Sequence, residues 1–196
     1  MARRHSNTLA AAVLAVLWEG PTHPYAVQRT LRERGLDRSI KISRGTVYLL
    51  FGQLVRDGHV AAVATGRTAN RPTHTVFTLT EPGHAQLLAW AKELLSVPTT
   101  EHGAFPTGLR LLPVLPPAEV TRLLHERCTA LAAEIGTVGA QPGHPLVDEY
   151  RRAQLELERD FVDRLIARIA HDPAANGRHH TQTATVRGRS HQLEES

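Results

Sequence analysis

The chain has 196 residues, of which 41% are hydrophobic and only 5% aromatic, enough for one or two small cores filled by Leu, Val and Ala. A single cysteine, Cys128, excludes an internal disulfide and a cysteine-based metal cluster, and points to a reducing compartment, the cytoplasm. The net charge of +4 is unevenly spread: residues 1–98 hold 12 basic and 6 acidic side chains and the remainder 11 and 13, which puts the positive field on the N-terminal half, as expected of a nucleic-acid-binding end.

The N-terminus opens with Met-Ala-Arg-Arg-His-Ser-Asn-Thr and continues with an apolar run from Leu9 to Trp18. The order resembles that of a signal peptide, but the run is ten residues long and ends in Glu19-Gly20-Pro21. A bilayer span needs about 20 apolar residues. No membrane segment is therefore expected, and the run reads as a buried helix capped by Ser6, Asn7 or Thr8. Pro24 suits the first turn of a second helix, because its missing N–H costs nothing there. That helix runs to about Arg34, with Tyr25, Val27 and Leu31 inward and Arg29, Arg32 and Arg34 outward, and Gly35 ends it.

Ser43 caps a third helix through its hydroxyl. Val47, Leu50, Leu54 and Val55 recur at helical spacing as a core face, and Gly58 stands where a left-handed cap is wanted. Arg44, Thr46, Tyr48 and Gln53 share the opposite face with Gly45, and small or polar residues at a helix start permit close approach to a sugar-phosphate backbone. Next come two β-prone runs, starting at His59 and Thr73, around a segment from Thr65 to Pro72. This is a hairpin signature. Its loop holds Arg67, Asn70 and Arg71 and no acid. The order is helix-turn-helix then wing: the third helix enters the major groove of DNA and the wing reaches a phosphate or the minor groove.

Thr80 caps a fourth helix with Pro82 in its first turn, strongly apolar from Leu87 to Leu95 and ended by Pro98; residues 99–106 read as a linker. Beyond it, Val120, Leu123, Leu124, Cys128, Leu131 and Ile135 continue at steps of three and four, and Gly136 to Pro145 separates this helix from a last one, Leu146 to about Ala170. Leu146, Tyr150, Ala153, Leu157, Phe161 and Leu165 form one stripe of the last helix and Leu155, Val162, Ile166 and Ile169 an adjacent one. So wide an apolar face calls for burial against a second copy of the chain, a two-fold homodimer suited to a palindromic operator. The polar segment 171–196 is expected to be disordered.

The residues Gly20-Pro-Thr-His-Pro-Tyr25, Ser43-Arg-Gly-Thr-Val-Tyr48 with Leu54 and Gly58, and Leu79-Thr-Glu-Pro-Gly83 together resemble the PadR family of bacterial transcriptional regulators, over nearly all of residues 9–170. Two positions depart from the family pattern: Pro24 stands where His-Gly-Tyr is usual, and Leu49 where a proline often follows the tyrosine. The resemblance implies a mainly α fold with a small β-hairpin wing, in which an N-terminal winged helix-turn-helix domain (1–98) precedes a C-terminal antiparallel helical dimerisation domain (99–170). It also implies a repressor bound as a dimer to double-stranded operator DNA and released by a small-molecule effector. Ser43, Arg44, Gly45, Thr46 and Tyr48 with Arg67, Asn70 and Arg71 are the candidate DNA-binding residues, and Trp18, Trp90 and Phe105 a candidate pocket for a flat apolar ligand.

Enzyme chemistry finds no support in the sequence. None of the twelve histidines pairs four residues apart on a helix beside an acid, His179 and His180 fall in the tail, and neither a Gly-rich phosphate loop nor a nucleophile elbow occurs. No cofactor or metal is expected. A metal-sensing regulator and a winged-helix module for protein partners are the alternatives.

Overall fold

The computed structural model describes residues 4–66, 74–140 and 143–172. Seven helices and one hairpin follow in order: α1 (Arg4–Trp18), α2 (Pro24–Glu33), α3 (Arg44–Arg56), β1 (Val60–Gly66), β2 (His74–Leu79), α4 (Glu81–Ser96), α5 (Ala104–Arg110), α6 (Pro117–Thr137) and α7 (Pro145–His171). Single 3-10 turns at Leu36–Arg38 and Leu112–Val114 link α2 to α3 and α5 to α6. The fold is mainly helical with a two-stranded antiparallel wing, as the sequence predicts. Among the described residues no helix is long and apolar enough to cross a membrane.

Several local expectations are corrected. Helix α1 begins at Arg4, not after a cap at Ser6, Asn7 or Thr8. Thr8 is buried inside it, and its hydroxyl donates to Glu101 Oε1 at 2.7 Å. In α2 the buried stripe is Pro24, Val27, Gln28 and Leu31, which turns Tyr25 outward with 54% of its surface exposed. In α3 the stripe is Val47, Leu50, Phe51 and Leu54, so Val55 is exposed and Phe51 takes the core place, its ring 5.0 Å from that of Phe77 on β2. Residues 99–106 are not a bare linker. Ala104 and Phe105 are buried in the first turn of α5, where Pro106 is tolerated as any first-turn proline is.

The strands pair from Val60 with Leu79 to Gly66 with His74, with an irregularity between Ala62 and Ala64. Thr22 adds a one-residue bridge, exchanging backbone hydrogen bonds of 3.0 and 2.8 Å with Phe77, so the segment before α2 is tied to β2. At the base of the hairpin Thr80 caps α4 through Gly83 N–H (3.1 Å) while its own hydroxyl donates to Gly58 O (2.6 Å). Gly83 lies so close to β1 that a Cβ there would stand 2.0 Å from His59 O. The α4 start and the wing are thereby fixed to each other.

Helices α6 and α7 form an antiparallel hairpin. Its inner part shares one buried cluster with the winged helix, running from Leu14 and Leu17 through Leu54 and Leu87 to Leu124, Val162 and Ile169. Its far end keeps a small cluster of its own, Leu131, Ile135 and Leu155. Arg127 is the bolt between the parts. It is fully buried, its Nε and Nη2 stand 2.8 and 2.7 Å from Glu158 Oε1 on α7, and Nη1 donates to Val97 O at 2.9 Å, with Leu94 O and Leu95 O farther off. The guanidinium lies 3.9 Å from the Phe105 ring centroid. Burial depresses its pKa, against which the Glu158 carboxylate works. One side chain thus supplies donors to the last carbonyls of α4 and ties them to both C-terminal helices.

Candidate nucleic-acid interface

Ser43 sits in extended backbone before α3, and its Oγ accepts the Thr46 N–H at 3.0 Å and lies 2.6 Å from Thr46 Oγ1. Gly58 closes the helix at φ 75°, a conformation glycine adopts without steric cost. Between these ends the face opposite the core carries the expected residues: Arg44, Gly45, Thr46 and Tyr48 are all exposed. The Arg44 guanidinium lies 5.7 Å from the Tyr48 ring centroid, one turn along, so cation and aromatic form a single patch. A Cβ on Gly45 would meet nothing within 4 Å, so packing does not demand glycine there; its smallness leaves room for an incoming backbone.

Leu49, 77% exposed at the middle of α3, was not among the expected site residues. A leucine so placed gains nothing from the fold, and a thymine methyl in a major groove is a natural apolar contact for it. Its signal in the sequence was its position between Tyr48 and the buried Leu50. Gln53 shares the exposed surface.

The outward arginines of α2 are largely employed inside the chain. Arg29 pairs with Glu33 at 3.4 Å and Arg34 holds both oxygens of Glu19 at 2.6 Å. Arg44 and Lys41 have no acidic partner among the described residues and remain available to a polyanion. Arg67, Asn70 and Arg71 lie outside the described residues.

The expected aromatic pocket is not assembled. Trp90 packs edge-on to His59 and borders a small cleft with Thr8 and Glu101, and Phe105 is buried beneath Arg127 with its ring 6.2 Å from Phe161. Trp18 instead lines an open cavity of about 580 Å³ between α1, α2, α5 and α7. Leu36, Leu109, Phe161 and Ile169 form apolar walls, and Arg34 and Arg168 stand at its margin. Thr107, which also lines it, is buried with its hydroxyl unpartnered among the described residues.

On α7 the expected stripe divides. Leu146 (68% exposed), Tyr150, Ala153, Leu157 (70%) and Phe161 face outward, whereas Leu165 is buried in the chain's own core.

A three-helix unit with a hairpin wing, its third helix capped, exposed and free of acids along the outer face, defines a winged helix-turn-helix DNA-binding regulator. Residues 13–89 match the model of the Transcriptional regulator PadR-like family. Similar solved structures include Bacillus subtilis PadR in complex with operator DNA, 17% identical over 82% of this chain and 98% of that one with a TM-score of 0.42. Also similar are Bacillus subtilis PadR in complex with p-coumaric acid (16%, 85% and 98%, TM-score 0.39) and smu.1604c from Streptococcus mutans (17%, 81% and 98%, TM-score 0.40). A search of curated proteins finds no match.

Proposed function

We propose that this regulator is a cytoplasmic homodimeric repressor that binds a palindromic double-stranded DNA operator and leaves it when a small-molecule effector binds. The observation that carries the DNA reading is the outer face of α3, where Arg44, Thr46, Tyr48 and Leu49 are exposed on a helix whose other face is core. In this reading Arg44, Thr46 and Tyr48 meet bases and phosphates, Ser43 and Gly45 permit the close approach, and Arg67, Asn70 and Arg71 hold the backbone or minor groove from the wing. Residues 1–98 serve DNA, 99–170 serve the dimer, and 171–196 are a tail.

The dimer reading rests on the outward stripe of α7 from Leu146 to Phe161, too apolar to stand in water along a 27-residue helix. A second copy packed there sets the spacing of the two α3 helices, about one turn of DNA for adjacent half-sites. The cavity beside Trp18 supports the effector reading: its volume suits a small molecule, and it lies between α2 and α7, the helices whose relative position a ligand must alter.

Fluorescence anisotropy with a duplex taken from upstream of the protein's own gene tests the reading. The expected result is binding at nanomolar concentration that an unrelated duplex of equal length does not match. Equal affinity for both duplexes would contradict it.

A further inference from the structure

Gln28 is an oddity in α2. It occupies the buried stripe between Val27 and Leu31, 5% exposed, where a hydrocarbon would be expected. Two donors converge on one terminal atom of its amide: the Arg44 N–H at 3.0 Å and Arg32 Nη2 at 3.1 Å, which makes that atom the amide oxygen. Arg32 Nη2 also lies 3.2 Å from Ile42 O, the carbonyl two residues before α3 begins. A buried carboxamide and an arginine from α2 therefore grip the approach to α3 and its first amide.

We propose that Gln28, with Arg32 as its brace, is the positioning residue that sets the angle of α3 against α2. The first turn of α3 has two caps from different sources. Ser43 supplies the local one, to Thr46 N–H, and ends the helix from within. Gln28 supplies the other, to Arg44 N–H, from a neighbouring helix. A local cap fixes where α3 starts; only the cap from α2 fixes how that start is oriented relative to the rest of the domain. Arg44 is also the first candidate base or phosphate contact, so the amide held by Gln28 belongs to the residue whose side chain must be aimed. Arg32, though exposed on α2, is spent on this brace and is not a phosphate contact.

The inference rests on the reading of α3 as the DNA-contacting helix, and two measurements separate it from that reading. The first needs no DNA. Amide hydrogen exchange followed by NMR is expected to show Arg44 N–H protected in the wild-type protein and in Gln28→Glu, which keeps the acceptor, and unprotected in Gln28→Met, which keeps the bulk and loses it. An Arg44 amide that exchanges alike in wild type and Gln28→Met overturns the inference whatever DNA does. The second is anisotropy with the upstream duplex and a shuffled duplex of the same length over a salt series. Gln28→Met is expected to lose about tenfold in affinity for the upstream duplex while the shuffled duplex and the salt slope stay unchanged, because orientation is lost and no phosphate contact is. Equal losses on both duplexes, or an unchanged affinity for the upstream one, overturn the positioning role. Wild-type protein that fails to distinguish the duplexes brings down the DNA reading itself.

Discussion

Removing Arg127 gives the sharpest energetic test of how the winged helix is joined to α6 and α7. Arg127→Ala strips Glu158 of its partner, leaves Val97 O, 2.9 Å from Nη1, without a donor, and empties the space over the Phe105 ring. Breaking a buried ion pair costs about 3–5 kcal/mol when the remaining charge stays trapped. Glu158 keeps 31% side-chain exposure and rehydrates, which places the ionic part at the lower edge of that range. The lost aliphatic stem adds a cavity, and the total is about 4 kcal/mol. Arg127→Met refills most of the volume and is expected to cost about 3 kcal/mol, since the ionic and hydrogen-bond losses remain. Urea unfolding followed by far-UV circular dichroism measures both, with the slope m checking that the transition itself is unchanged. A loss below about 1 kcal/mol for Arg127→Ala at unchanged m would refute the argument that this guanidinium bolts the α4 terminus to the C-terminal helices.

Gly83→Ala is expected to destabilise by about 1–3 kcal/mol or more, because the new Cβ would lie 2.0 Å from His59 O and the Thr80 hydrogen bonds to Gly58 and His59 prevent the strand from withdrawing. Thermal unfolding of the variant measures this, and an unchanged midpoint would show that β1 and α4 are not fixed to each other. Burial, reinforced by the hydrogen bond from its Sγ to Asp163, pushes the Cys128 thiol up to about 11. Its stabilising contribution is thus present below the ordinary thiol pKa and lost as pH rises toward 11. At pH 8 the folded protein holds roughly a hundredfold less thiolate than the unfolded chain, so iodoacetamide is expected to alkylate it far more slowly than in urea; comparable rates would contradict the partly buried, protonated thiol. Replacing Arg67 and Arg71 together by Ala is expected to weaken binding to all duplexes and lower the salt slope by about two. An unchanged slope in anisotropy titrations would remove the wing from the DNA contacts.

What the sequence made legible was the punctuation. Ser43 and Gly58 bracket α3, and Thr80 starts α4, because caps act through their own backbone and need no distant partner. What it hid depended on neighbours. Val55 and Phe51 are both apolar at helical spacing from Val47, and only the arrival of Phe77 from the wing decides between them. The stretch 99–106 looked structureless since Gly103 and Pro106 break its pattern, yet Phe105 gains a place under Arg127, an arginine 31 positions from its carboxylate. Arg127 did leave a trace: it lies on the same stripe as Leu123, Leu124 and Leu131, where a charge is out of place unless something meets it. The candidate DNA residues on α3 could be read as a face, whereas the aromatic pocket could not, for Trp18, Trp90 and Phe105 share a residue class and no common location.

The central claim, that the exposed face of α3 reads DNA as one half of a symmetric pair, is tested most directly by selecting binding sites from a pool of random duplexes with the full-length protein and with Arg44→Ala/Tyr48→Ala. The account predicts that the wild type enriches a two-fold symmetric sequence with half-sites about one helical turn apart, and that the double variant enriches none. Enrichment of no sequence by the wild type, or of the same sequence by both proteins, would contradict it.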